Sequence, residues 1–400
     1  MIGSDQVVDV KASTSFPDGW RLARLGEVCE INPRRPSLNR LADAPTTFVP
    51  MSAVEEAGRG ISHPECKTFS EVRSGYTYFS EGDVLFAKIT PCMQNGKHAV
   101  ARDLISGIGF GSTEFHVIRP KAEVLPEWVH LFIIQPWVLQ RAEVYFTGSV
   151  GQQRIPQSYL ETLYIPLPSL VEQQRIITIL TKQIAYVDQA RIAAETQLEL
   201  LVNLIEAYLR QSLLLRPLQR VKLSECLEEV SKGVGEGWRN YPVVGATRAG
   251  LAPAKESIGK NPGRYKLVDV GTIFYNPMRI LIGSIAMIDD DDEAGITSPD
   301  YVVFNTQSGV LHSRWFYYWL RSSAGRAFIK TLARGAVRER MLYKRLASAE
   351  IGLPPWDVQL EAVGKLKLIA KMKRSIEQQL SIINQLPAVL LEHAFNGEPH

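Results

Sequence analysis

Long apolar runs are missing from these 400 residues. No stretch of 18 occurs, and the opening MIGSDQVVDVKAST has neither the basic start nor the apolar core of a secretion signal. A membrane partner is therefore not expected, and the chain is expected in the cytoplasm. Cysteine is scarce as well. Cys29, Cys66, Cys92 and Cys226 lie far apart with no Cys-x-x-Cys pair, which predicts reduced thiols rather than a disulfide framework or structural zinc. The seven histidines include no pair at helical ligand spacing, so no metal site is expected. A phosphate-binding Gly-x-x-x-x-Gly-Lys loop is absent, which excludes an ATP motor of that type. Surplus charge of one sign is also lacking. The 45 Lys and Arg against 42 Asp and Glu leave +3, so a nucleic-acid partner must announce itself through local charge.

Several fragments resemble chemical motifs without their context. Gly107 to Gly111 has the spacing of a cofactor loop, but Ser112 to Pro120 reads as a strand where a helix is required. Tyr275-Asn276-Pro277-Met278 lacks the second proline of an amino-methyltransferase element, and Glu65-Cys66-Lys67 has no acidic partner upstream. Asp289 to Glu293 could attract a cation, yet Ala294 stands where a calcium loop needs glycine, so a solvated hairpin turn is expected.

What the chain does contain is a repeat. With 45% apolar and 22% charged residues it can form two to three domains, and two of its segments follow one plan. IPLPSLVEQQRI (165–176) recurs as IGLPPWDVQLEA (351–362) at an offset of 186. Gly82 to Phe86 parallels Gly271 to Tyr275, Ser112 to Phe115 parallels Ser298 to Tyr301, and RLGEVCE (24–30) parallels KLSECLE (222–228). A repeat of that length implies duplicated domains rather than a solenoid. Within each copy, short apolar runs such as DVLFAKI, GTIFYNP and DYVVF, bounded by turn residues, predict strands. Helical patterns near Leu125–Val144 and Val310–Leu332 complete a mixed α/β domain.

A long helix follows each globular part. Ser169 with Glu172 three residues on is a capping-box signature. Ile177, Leu180, Ile184, Val187, Arg191, Leu198 and Leu201 then keep heptad spacing, as do Leu366, Ile369, Ile376, Leu380 and Ile383 in the second copy, where Lys373 and Pro387 interrupt. Asn396-Gly397 suits a helix C-terminus. A helix of about 40 residues is some 60 Å long, too long for an ordinary core helix. Its seam is expected to pack against its counterpart as an intramolecular antiparallel coiled coil, the alternative being packing on its own domain or a second chain. Arg191 and Glu377 are candidates for a register-setting contact, or Arg191 is simply solvated. The fold class is thus α+β, with two similar domains, a coiled coil of two long helices and a pseudo-twofold repeat. The expected boundaries are 1–16 for an N-terminal extension, 17–167 and 216–354 for the domains, and 168–215 and 355–400 for the helices.

Local charge separates the copies. Residues 17–169 carry 15 basic and 16 acidic side chains, net −1, whereas 220–355 carry 19 and 14, net +5. From Arg314 to Arg345 there are nine basic residues (Arg314, Arg321, Arg326, Lys330, Arg334, Arg338, Arg340, Lys344, Arg345) against Glu339 alone. Such a stripe suits phosphates, and Arg can pair bidentately with guanine. The interleaved Trp315 to Trp319 have the spacing of a core face rather than a base-stacking platform. DNA-binding candidates are Arg334, Arg338, Arg340, Lys344, Asn276 and Arg279 in the second copy. In the first they are Lys88, Thr90, Gln94, Asn95, Lys97, Ser149, Gln152, Gln153 and Arg154. Structural ion pairs are the alternative role for Arg338 and Arg340.

Taken together, GWRLARLGEVCEINP (19–33), IPLPSLVEQQRI and LPAVLLEHAFNGE (386–398) resemble the specificity subunit of Type I restriction-modification enzymes, over nearly the whole chain. The second helix departs from the pattern in starting WDVQLEA, and the first in ending with Arg210-Gln211. The resemblance implies two target recognition domains, each reading one half of a bipartite double-stranded DNA sequence, with the coil fixing the spacing. It implies a non-catalytic chain without a cofactor of its own. S-adenosylmethionine, ATP and Mg are then expected on partners, namely two modification (methyltransferase) subunits and restriction (translocase/nuclease) subunits. A two-headed protein scaffold is the competing class, and an enzyme with an unrecognised site a third.

Overall fold

The computed structural model describes residues 16–149, 152–254, 258–333 and 340–397. It divides into two units, Met1–Arg191 with Ser381–His400, and Ile192–Leu380.

In the first unit the central strand, Val84–Ala87, is apolar at every position because both of its faces are covered. Side chains alternate across a strand. Val84 and Phe86 enter a core shared with Ile118 and Trp128, while Leu85 and Ala87 enter a second core with Val49, Phe79 and Val117. The strand lies in an antiparallel sheet ordered Cys29–Ile31, Phe115–Pro120, Val84–Ala87, His98–Val100. A second sheet, ordered Glu65–Thr68, Pro45–Val49, Ile108–Gly111, Thr77–Ser80, supplies Val49 and Phe79 to the other core. Gly107 to Gly111 therefore leads into a strand and forms no cofactor loop.

The second unit repeats the first sheet, with strands Leu227–Glu229, Val302–Thr306, Ile273–Tyr275 and Ile285–Met287 in the same order. Its central strand divides likewise, Ile273 and Tyr275 to one core and Phe274 to another. Register confirms the equivalence, since Val84 faces Ile118 as Ile273 faces Phe304. Even polar pairs correspond. Asp83 receives two hydrogen bonds from Arg119, at 2.8 and 2.7 Å. At the matching positions Thr272 donates to Asn305 at 2.8 Å. In place of the second four-stranded sheet this unit has two antiparallel pairs, Val244–Ala246 with Leu251–Pro253 and Lys266–Val268 with Gly295–Thr297.

Each helical pattern read from the sequence as one helix is two. Pro136 starts a new helix, so Pro126–Ile133 and Pro136–Ala142 are separate. In the second unit Ser313–Arg321 and Ser323–Ala333 meet at a turn where a Cβ on Gly325 would lie 1.9 Å from the Trp319 carbonyl, so only glycine fits. Trp128 and Trp315 occupy corresponding buried places, and Trp315, Phe316 and Trp319 are core residues.

Both units close with a short antiparallel ladder that delivers the chain to a long helix. Arg21–Arg24 pairs with Tyr164–Leu167, and Gln219–Lys222 with Glu350–Leu353. The helices run Leu170–Leu214 and Trp356–Asn396, the second continuing through Pro387 and ending at Gly397 with φ of 73°. Ser169 Oγ accepts from the Glu172 amide at 3.3 Å, while the Glu172 carboxylate pairs with Arg175.

One turn into each helix sits a fully buried glutamine. Gln173 Oε1 accepts from the Leu125 amide at 2.9 Å, and its Nε2 donates to the carbonyls of Glu123 and Pro168 at 3.0 and 2.9 Å. Gln359 makes the same three bonds to His312, Val310 and Pro354 at 2.9, 2.9 and 3.0 Å.

The seam positions are buried or half-buried. Within the first unit Ile177 and Leu180 share a core with Leu391, Ala394 and Phe395, and Ile184 packs on its edge. Val187, Arg191 and Ile383 are half-buried in that unit. Within the second unit Leu209 shares a core with Ala362, Val363 and Leu366. There Leu201, Ile369 and Ile376 are buried and Leu198 and Leu380 half-buried. Arg191 and Glu377 have ionic partners on their own helices, Asp188 at 2.7 Å and Lys373 at 3.5 Å. Pairs at such spacing form without any partner helix, so they set no register.

Candidate nucleic-acid interface

The end of the central strand brings together two candidate groups that are far apart in sequence. Beyond Ala87 the chain runs through Lys88 to Thr90, and it returns alongside at Gln153 to Ile155. The Ile155 amide donates to the Lys88 carbonyl at 3.0 Å and the Thr90 amide to the Gln153 carbonyl at 3.0 Å. The Gln153 amide donates to Thr90 Oγ1 at 3.2 Å. Buried Ile155 anchors this edge, so the neighbouring polar side chains face outward, Gln152 exposed and Lys88, Thr90, Gln153 and Arg154 half-buried. Arg154 is held from the next strand turn. Its Nε and Nη2 donate to Glu114 at 2.9 and 2.7 Å, and Nη1 to the Gln152 carbonyl at 3.1 Å. Those bonds hold the Glu114 carboxyl below its usual range. Behind them His116 bonds to the Ile155 carbonyl at 2.8 Å, and burial lowers its pKa.

The second unit builds the same edge. The Met341 amide donates to the Pro277 carbonyl at 3.0 Å, and buried Met341 stands where Ile155 stands. Arg340 thereby corresponds to Arg154. Arg279, six residues beyond Ile273, corresponds to Thr90, six beyond Val84. Arg279, Arg340 and Lys344 are exposed, and Asn276 uses its side-chain oxygen to accept from the Met278 amide at 2.9 Å. Arg334 and Arg338, like residues 1–15, lie outside the described residues.

Other candidates have different work. Lys97 is half-buried and donates from Nζ to the carbonyls of Val54 and Met51 at 2.8 and 3.4 Å, which holds two loops together. Gln94 bonds to Glu143 and Asn95 to Glu56, each at 2.8 Å. Both line a groove of about 830 Å³ with His130, Ile184 and Asp188.

The basic stripe also disperses, because successive arginines leave its helices on different faces. Arg314 is buried against Asp289 and Asp290. Arg321 donates to the carbonyls of Ile285 and Arg248, each at 2.9 Å, and Arg345 to that of Leu332 at 3.2 Å. Asp289 to Asp292 form the expected turn, closed by the Asp292 amide on the Asp289 carbonyl at 3.0 Å with Asp290 and Asp291 exposed, but its carboxylates are paired and not simply solvated. Besides Arg314, they engage Lys367 and Arg374 of the second long helix, at 2.7 Å for Lys367–Asp290 and 3.3 Å for Arg374 with Asp291 and Asp292. The partners that sequence reading missed are Glu114 and the two buried glutamines. The repeated blocks signal them, since Glu114 aligns with Asp300 and Gln173 with Gln359.

Among the described residues no group of three His, Cys, Asp or Glu side chains could hold a metal ion, and no helix is long and apolar enough to cross a membrane.

Residues 17–199 match the Type I restriction modification DNA specificity domain. The specificity subunit of the Type I restriction enzyme EcoEI from Escherichia coli is 37% identical over 195 residues, which are 48% of this chain and 32% of that protein. The match thus spans about a third of that relative's length. Among solved structures, one from work on complex assembly and conformational transition of the type I R-M system superposes with a TM-score of 0.66 at 19% identity, covering 96% of this chain and all (100%) of the other. The HsdS subunit from Thermoanaerobacter tengcongensis gives 0.54 at 20% identity, covering 97% and 99%. At these identities what is shared is the fold. The likeness to that specificity domain thus covers residues 17–199, a little under half of the chain, and the likeness in fold extends over nearly all of it.

Proposed function

We propose that this chain is the DNA-specificity subunit of a Type I restriction-modification complex. Each globular unit reads one half of a split duplex target, and the long helices set the distance between the halves. The observation that carries this reading is the recurrence of one polar edge, Lys88–Thr90 beside Gln153–Arg154 and Asn276–Arg279 beside Arg340, on equivalent strands of both units. Side chains on such an edge can reach base edges while nearby cations meet phosphates. Two readers on one face of a duplex need centres about 34 to 36 Å apart or a multiple of that, which stiff helices can set.

The proposal extends to partners. Exposed apolar side chains recur at helical spacing on the long helices, at Leu200 and Leu204, Leu368 and Met372, and Ile382, Leu386 and Val389. Such stripes suit protein contacts. Two modification subunits would dock there, bringing S-adenosylmethionine for adenine methylation, and restriction subunits would bring ATP and Mg. This chain would contribute recognition alone, in the cytoplasm.

The test is to express the chain with its modification partner and map methylated adenines, alongside duplex binding by the chain as a function of salt. A split motif and a negative dependence of log K on log salt are expected. Salt-independent or absent duplex binding, with no split motif, would leave a protein scaffold.

A further inference from the structure

Arg154 and Glu114 form a pair whose geometry selects among the ligands that a DNA-facing arginine can take. A guanidinium has five N–H donors. Glu114 takes one from Nε and one from Nη2, and the Gln152 carbonyl takes one from Nη1, leaving one donor on each terminal nitrogen. The Arg154 side chain is 42% exposed and the Glu114 side chain 25%, so those donors are accessible on a side chain whose rotamer is held.

Charge decides between phosphate and base. Paired with a carboxylate, Arg154 presents almost no net charge, so it gains little from counterion release, and Glu114 itself repels a phosphate. The two remaining donors keep their direction. In the major groove only guanine offers two adjacent acceptors, O6 and N7. The second unit differs at the same place. Asp300, shorter by one methylene, stands where Glu114 stands, and among the described residues no ion pair joins it to the exposed Arg340.

We propose that Arg154, gripped by Glu114, is the side chain with which the first unit reads a guanine in its half of the duplex, Glu114 acting as the positioning residue. This rests on the DNA-reading function proposed above.

The experiment incubates the full chain with a pool of random-sequence duplexes and sequences the bound fraction, for the unsubstituted protein, R154K and E114Q. R154K keeps the charge and removes the planar fork, and E114Q is close to isosteric. The unsubstituted chain should enrich a split motif with a G·C pair in one half. R154K should lose the preference for that pair by roughly 5- to 150-fold, leaving the other half unchanged. E114Q should relax the same position by a smaller factor, whereas a merely structural pair would lower thermal stability and weaken all sequences alike. An unchanged G·C preference in R154K, or a loss uniform across sequences, overturns the proposal. Failure of the unsubstituted chain to enrich any motif overturns the DNA-reading function itself, and this proposal with it.

Discussion

Gln173 is the side chain on which the junction between the first globular unit and its long helix most depends, and its replacement by leucine gives a sharp test. The carboxamide is fully buried and makes three hydrogen bonds, two of them to the segment before the helix Pro126–Ile133. Each is worth about 1 kcal/mol net, so about 3 kcal/mol is lost with them. The stranded Leu125 amide adds a desolvation cost of about 1 kcal/mol or more. Extra apolar burial by leucine returns about 1 kcal/mol. The expected net loss is therefore about 2 to 4 kcal/mol, confined to the first unit. Because two units need not unfold together, one global midpoint is a poor readout. Hydrogen exchange resolved by peptide is better. Q173L should speed exchange in residues 121–135 while leaving 308–320 unchanged, and Q359L should do the reverse. A loss under about 0.5 kcal/mol in the affected unit, below one ordinary hydrogen bond, would refute the reasoning. So would equal loosening of both units by either substitution.

Other outcomes follow from the same structure. Replacing the buried Arg314 by leucine leaves the half-buried Asp289 carboxylate with only Arg374 at 3.6 Å and should destabilise the second unit by about 3 kcal/mol in denaturant titration. A neutral result would show that Lys367 and Arg374 hold the acidic run unaided. Acid should loosen the first unit early. Burial depresses His98 to about 3 and also lowers His130 and His116. The folded state thus binds fewer protons than the unfolded chain between pH 6.5 and about 3, so the stability present above 6.5 is lost as pH falls, by roughly 1.4 kcal/mol per pH unit for each histidine in its window. H98Q should flatten that slope in acid titration followed by tryptophan fluorescence, and an unchanged slope would contradict it. Inserting four residues in each long helix, about 6 Å of rise, should lengthen the spacer in the methylated motif and change neither half. An unchanged spacer would count against the helices as the ruler.

Much of this was legible in the covalent order. The repeat, the strands and the two long helices follow from periodicity and from paired blocks such as IPLPSLVEQQRI and IGLPPWDVQLEA. Val84 to Ala87 reads as a strand because four apolar residues between turn signals satisfy a sheet covered on both faces. The candidate edge was visible only in pieces. Lys88 and Arg154 each stood out, but nothing local joins residues 66 apart. Lys97 has the same exposure pattern in sequence as Lys88, yet two carbonyls from a distant loop claim its ammonium. The run from Arg314 to Arg345 reads as a single stripe until the break at Ser322 and Gly325 turns its members to different faces.

By itself, then, the sequence determined which segments become strands and helices and that one plan occurs twice, because those properties depend on neighbours within a few residues and on a period of two or 3.6. Only the tertiary structure decided which charges are free. An ionic partner is chosen by distance in space, and Glu114 reaches Arg154 across a sheet as the second long helix reaches Asp290, through contacts no local pattern encodes.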